Sequence, residues 1–257
     1  MHTLKLKDVE LGSGLPKIIV PITERTDRTV WSEAKEYKCR QADMIEWRAD
    51  YYKDIHNTPA VMAVLKKLHR ILSGVPLIFT CRPDSLGGAS EFTPSQYYSL
   101  NQAVAESGMV DAIDLDINDD EQQINSLITE AHMHDVKIIG SYDNPETTPS
   151  REELIDIMRR IQALGVDIVK VAVMVHSSEE ALRLMDAARE MVDRYAECPI
   201  IAMGMGSEGV ITRITCESVG TCATYGAIGE ASAPGQFPVE RLQTAIKILH
   251  IGMTSRF

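Results

Sequence analysis

The sequence predicts an α/β fold, a (β/α)8 TIM barrel with an N-terminal β-hairpin. Eight apolar, β-rich runs recur along the chain, segments of helical period lie between them, and 257 residues is the size of eight βα units. The first element is TLKLKDVELGSGLPK, within residues 1–16, which alternates around a GSG turn like a hairpin able to cover the bottom of a barrel. The strands follow as KIIVPI (17–22), MIEWRA (44–49), PLIFTCR (76–82) and AIDLDI (112–117), then VKIIGSY (136–142), IVKVAVM (168–174), PIIAMGM (199–205) and CATYGA (222–227). Each is short and rich in apolar and β-branched side chains, as buried parallel strands are. Between them, VMAVLKKLHRIL, EQQINSLITEAHM, REELIDIMRRIQAL and EEALRLMDAAREMV place apolar residues at helical spacing, and VERLQTAIKILH supplies a closing helix. An open doubly wound sheet is the competing arrangement. No low-complexity stretch or linker is visible, so a single domain over residues 1–257 is expected.

With 44% hydrophobic and 25% charged residues, the chain can build one large core. Its net charge of −11 provides no basic stripe for nucleic acid. The five cysteines are scattered without metal-like spacing and read as reduced thiols. The amino terminus is alternating and charged, and no apolar run approaches the ~20 residues of a membrane span. A cytoplasmic protein acting on a small molecule is expected, with neither nucleic acid nor membrane as partner.

Lys170 is the most informative residue. It interrupts DIVKVAVM, a run that reads as a buried strand in an apolar setting. Desolvation disfavours an ammonium ion, so a lysine in an apolar slot becomes a candidate amine nucleophile toward a carbonyl carbon. Other strands carry charge near the carboxyl ends where barrel enzymes place their chemistry. Glu46 and Arg48 share parity, Arg82 ends the third strand, Asp114 and Asp116 lie in the fourth, and Asp143 follows the fifth. Together they predict a polar pocket. Arg213, in GVITRIT, could clamp a carboxylate through paired hydrogen bonds. The stretch EASAPGQF (230–237), with Ser232 and Gln236, is suited to a loop that closes over a polar ligand.

Other signals are weaker. Gly204, Gly206 and Gly209 spell GxGxxG, but too little chain follows to complete a dinucleotide-binding sheet, and only a backbone anion site stays open. His132 and His134 read as surface residues, and His176 reads as a loop residue before a proton-transfer candidate. Met203 and Met205 could line a pocket, although core packing is the commoner role.

IEWRAD, FTCRP, the lysine of VKVAVM, GVITRIT and above all SAPGQ resemble the type I 3-dehydroquinate dehydratases, barrel enzymes of the shikimate route to aromatic amino acids. The resemblance covers nearly the whole chain. It implies a hydro-lyase in which Lys170 forms a Schiff base with the substrate ketone and Arg213 holds its carboxylate. Glu46, Arg48, Arg82, Ser232 and Gln236 then orient the hydroxyls and close a lid at 228–237. It implies no metal and no cofactor, a 3-dehydroquinate-like carboxylate as partner and a possible homodimer.

Two positions depart from the family pattern. Asp143 in GSYDNP stands where the resemblance implies a general acid/base histidine, and Leu86 precedes Gly87 and Gly88 where a glutamate is usual. An aspartic carboxyl, titrating near ~3.9 in water, accepts a proton more readily than it donates one near neutrality. Three readings result: a dehydratase with Asp143 or a water moving the proton, an imine-forming lyase of the aldolase kind on a related cyclic hydroxy acid, or a noncatalytic ligand-binding paralogue or variant.

Overall fold

The computed structural model describes residues 2–40, 42–117, 121–229 and 231–255. Met1, Glu230 and Phe257, the extremes of the expected hairpin, loop and domain ranges, lie outside them. The first elements are β1 (Leu4–Leu6) and β2 (Val9–Leu11), an antiparallel pair. The hairpin forms, but its turn is Lys7–Asp8, with Lys7 at φ 50°, and GSG follows the second strand. Side-chain parity explains the correction. A two-residue turn pairs Leu6 with Val9 and Leu4 with Leu11, putting all four apolar residues on one face.

The barrel strands are β3 (Lys17–Ile22), β4 (Met44–Arg48), β5 (Leu77–Thr80), β6 (Ala112–Asp116), β7 (Lys137–Asn144), β8 (Ile168–Met174), β9 (Ile200–Met205) and β10 (Ala223–Ala227). Neighbours pair in parallel in chain order, and β10 pairs back onto β3, which a doubly wound sheet would not allow. The circle closes where the Cys222 N–H donates to the Ile200 carbonyl at 2.8 Å. A short β11 (Phe237–Pro238) runs beside β10. Around the sheet lie α1 (Asp27–Cys39), α2 (Thr58–Ile71), α3 (Pro94–Ser107), α4 (Glu121–Met133), α5 (Arg151–Ala163), α6 (Ser178–Arg194), α7 (Val210–Ile214) and α8 (Val239–Thr254). Thr26, Asn57, Thr93, Ser150 and Ser177 each accept a backbone N–H at a helix start, so these entries are set by local chemistry. Among the described residues, no helix is long and apolar enough to cross a membrane.

Strand alternation divides the core into two layers. Outward side chains such as Val20, Trp47, Phe79 and Val171 pack under the helices, with Trp47 edge-on to Phe79 at 5.8 Å. Inward side chains Ile19, Met44, Ile78, Ile139, Ile168 and Ile201 fill the lower barrel, and Leu6 and Leu11 of the hairpin seal it. Burying each of those two leucines stabilises the fold by about 1.5–3 kcal/mol.

The three glycines after β9 have a packing explanation. A Cβ on Gly204 would lie 2.8 Å from the Gly209 Cα, one on Gly209 would lie 2.6 Å from the Gly204 carbonyl carbon, and Gly206 has φ +85°. The chain doubles back so tightly that two backbones touch, and this contact seats α7. Gly209→Ala should therefore lower stability by about 1–3 kcal/mol. A urea midpoint equal to that of the wild type would contradict this account.

Candidate active site

Alternation also gathers the polar residues. Glu46 and Arg48 from β4, Thr80 from β5, Asp114 from β6, Ser141 and Asp143 from β7 and Lys170 from β8 lie on the inner side of the barrel above the isoleucines, and all are buried. Of these, Glu46, Arg48, Asp143 and Lys170 line a cavity of about 250 Å³ at the carboxyl ends of the strands. Lys170, Asp143, Glu46, Arg48, Arg82, Arg213, Ser232 and Gln236, the eight residues expected from sequence, all line it. A larger furrow of about 1160 Å³ lies outside, where Arg159 and Arg194 mix with Glu153 and Asp156, and holds none of these groups.

The surroundings of Lys170 differ from the apolar slot expected of its strand. Val169 and Val171 belong to the outer layer, whereas Lys170 turns inward and meets charge. Its Nζ donates to Asp114 Oδ2 at 2.6 Å, lies 3.6 Å from Asp143 Oδ2 and sits 5.6 Å from the centre of the Tyr225 ring. The other oxygen of Asp114 accepts from Arg82 Nη2 at 3.0 Å and from Ser141 Oγ at 2.6 Å. Burial works against the Asp114 charge, but Lys170 and Arg82 outweigh it and hold the carboxyl below its usual range. Arg82 Nη1 contacts Asp143 Oδ1 at 2.5 Å. Burial opposes that guanidinium too, and the charges of Asp143 and Asp114 keep it firmly protonated. Asp143 Oδ2 has no hydrogen-bond partner.

Arg48 is tied to its own strand end, with Nε and Nη2 donating to the two oxygens of Asp50 at 2.9 and 2.8 Å. Asp50 in turn accepts the Ala89 N–H, which anchors the segment carrying Leu86 beside the cavity. Burial pushes the Glu46 carboxyl above its usual range, with Lys170 opposing the shift in part.

Arg213 is different. It sits in α7, 1% exposed, and its donors reach only the Met203 sulfur at 3.6 Å, the Tyr225 carbonyl at 3.5 Å and the Pro234 carbonyl at 3.4 Å. No carboxylate lies within 4.0 Å of it among the described residues, and its Nε has no partner. Burial lowers its pKa to about 10. A buried guanidinium without an anion is costly, and it becomes favourable once a ligand supplies one. Ser232 and Gln236, four residues apart in one loop, hold each other beside the cavity, the Gln236 Nε2 donating to Ser232 Oγ at 2.9 Å.

Sequence reasoning did not single out Thr80, Ser141 or Tyr225, and it counted Asp114 toward a polar pocket without giving it a role of its own. Asp114 was detectable by its parity in AIDLDI, but its partners are 32 and 56 residues away. His176 does not line the cavity; its Nε2 contacts the Glu146 carbonyl at 2.7 Å. His132 and His134 pair with Asp167 and Glu130.

A model of the type I 3-dehydroquinase family matches residues 18–253. The chain belongs to the type I 3-dehydroquinase family. It is 39% identical over 247 residues to a 3-dehydroquinate dehydratase of Bacillus licheniformis, covering 96% of this chain and 97% of that one. It is 41% identical over 250 residues to one of Escherichia coli strain K12, covering 97% and 99%. Its structure is similar to that of a type I 3-dehydroquinate dehydratase from Clostridium difficile with covalently modified comenic acid, at 36% identity and a TM-score of 0.95 over 98% and 100% of the two chains. In this member of the type I 3-dehydroquinase family, replacing Arg213 removes an uncompensated buried charge. Arg213→Leu should retain or slightly gain stability, and calorimetry should show a rise in melting temperature with added quinate for the wild type and none for the variant.

Proposed function

We propose that this protein is a 3-dehydroquinate dehydratase, removing water from 3-dehydroquinate in the shikimate pathway through a Schiff base on Lys170. The observation that carries this reading is the presence of a buried amine and a buried, unpaired guanidinium in one cavity. A small ketone bearing a carboxylate satisfies both. Arg213 takes the carboxylate, and Arg48, Arg82, Glu46, Ser232 and Gln236 orient the hydroxyls, with 228–237 acting as the lid. Cytoplasmic residence and a homodimer belong to the same reading.

The reaction begins with transfer of the Lys170 ammonium proton to a neighbouring carboxylate. The free amine adds to the ketone carbon to give a carbinolamine, whose hydroxyl takes the proton back from that carboxylate and leaves as water, giving an iminium ion. That cation acidifies the adjacent carbon. Asp143 Oδ2, which accepts no hydrogen bond and lies 3.6 Å from Nζ, removes the proton. The enamine electrons then expel the hydroxyl from the next carbon, and hydrolysis of the conjugated iminium returns Lys170 and the enone. Arg82 supports this assignment by keeping Asp143 in a fixed pose.

Borohydride should trap 3-dehydroquinate on Lys170, and Lys170→Ala should abolish both trapping and enone absorbance. Trapping without enone would defeat the dehydratase reading in favour of an aldolase-like lyase, and neither signal despite quinate binding would leave a ligand-binding protein. Asp143→Asn should keep trapping while enone formation falls by about 10²–10⁴. The double change Asp143→His with Leu86→Glu should raise turnover; an unchanged rate would show that these two positions do not limit the chemistry.

A further inference from the structure

Elimination needs a proton for the departing oxygen as well as a base for the carbon, and the second task occupies the one oxygen of Asp143 that accepts no hydrogen bond. Its Oδ1 is bound to Arg82 and its Oδ2 faces Lys170. Lys170 is consumed in the imine, and Arg48 and Arg82 are held by Asp50, Asp114 and Asp143. Tyr225 lines the cavity, but burial pushes its hydroxyl well above the usual phenol range, so it parts with a proton reluctantly.

Glu46 is the remaining acid. It is 3% exposed, lines the cavity, and receives both of its hydrogen bonds on one oxygen: Thr80 Oγ donates to Oε1 at 2.6 Å and the Tyr225 hydroxyl donates to the same atom at 3.3 Å. With Oε1 fixed from two sides, Oε2 is left to the ligand. We propose that Glu46 is the proton donor for water loss, delivering a proton from Oε2 while Thr80 and Tyr225 hold Oε1. The proposal rests on the imine reading and goes beyond the orienting role given to Glu46 there.

The charged and titratable groups around Glu46 are Lys170 on β8, Asp114 on β6, Arg48 on its own strand, Arg82 beyond β5 and Tyr225 on β10. Burial keeps the proton on Glu46 at higher pH than in water, and the nearby Asp114 charge acts in the same direction. In the step itself, Asp143 takes a proton from carbon, the C–H electrons form the enamine, and those electrons build the C=C bond as the C–O bond breaks. The oxygen leaves with the Glu46 proton as water. Asp143 ends one proton richer and Glu46 one poorer, and exchange with water after product release resets both. The two hydroxyls on Oε1 stabilise the carboxylate that forms.

Three readouts on Glu46→Gln test this with 3-dehydroquinate as the probe. Borohydride trapping and deuterium exchange from solvent at the carbon beside the imine should persist, while enone formation falls by about 10²–10⁴. A dehydration rate within a few-fold of wild type overturns the proposal, and so does parallel loss of trapping and exchange, which would make Glu46 a positioning residue. Failure of the wild type to trap at all would instead sink the imine reading. If Glu46→Gln does not fold, Tyr225→Phe decides. It removes a donor to the ionised carboxyl, so the alkaline limb of the dehydration profile should move to higher pH. An unmoved limb overturns the proposal.

Discussion

The ion pair between Lys170 and Asp114 is the constraint around which the upper barrel is arranged. An ammonium inside a barrel is tolerable only with an anion at contact distance, and Asp114 provides one at 2.6 Å. That carboxylate is then itself buried and needs further donors, which Arg82 and Ser141 supply. Arg82 in turn is matched by Asp143. Two cations and two carboxylates cancel, and each holds the next in place. Removing one partner of such a buried pair typically costs about 3–5 kcal/mol. The arrangement is rigid for that reason, and it holds the Lys170 amine in one position.

Arg213 stands apart from this balance, and the fold has to work to keep it there. The contact between Gly204 and Gly209 pulls α7 against the end of β9 and aims a guanidinium at a region without anions. The loop before β11 rests on the same segment, with the Gly206 N–H donating to the Pro234 carbonyl at 3.3 Å and Arg213 reaching that oxygen. Cation and loop are thus mechanically joined. A ligand that engages one shifts the contacts of the other.

Much of this was legible in the chain. The barrel strands fall within about two residues of the apolar runs because β-branched clusters and turn residues mark them locally. The hairpin was recognisable, but GSG outranked Lys7–Asp8 as a turn by composition, while face parity decided the fold. The setting of Lys170 was not readable from its neighbours along the strand, since those point to the other layer. What surrounds it comes from β6 and β7 across the barrel. The pairing of Tyr225 with Glu46 spans 179 residues and has no local signature at all.

The plug of Leu6 and Leu11 has a consequence for traffic. A barrel stoppered at the base is a cup, with its cavity at the opposite end. A ligand reaches the cavity from that end, past the loop that carries Ser232 and Gln236. Were that loop to shut tighter on a bound molecule, the same contacts that shield it from water would delay its discharge.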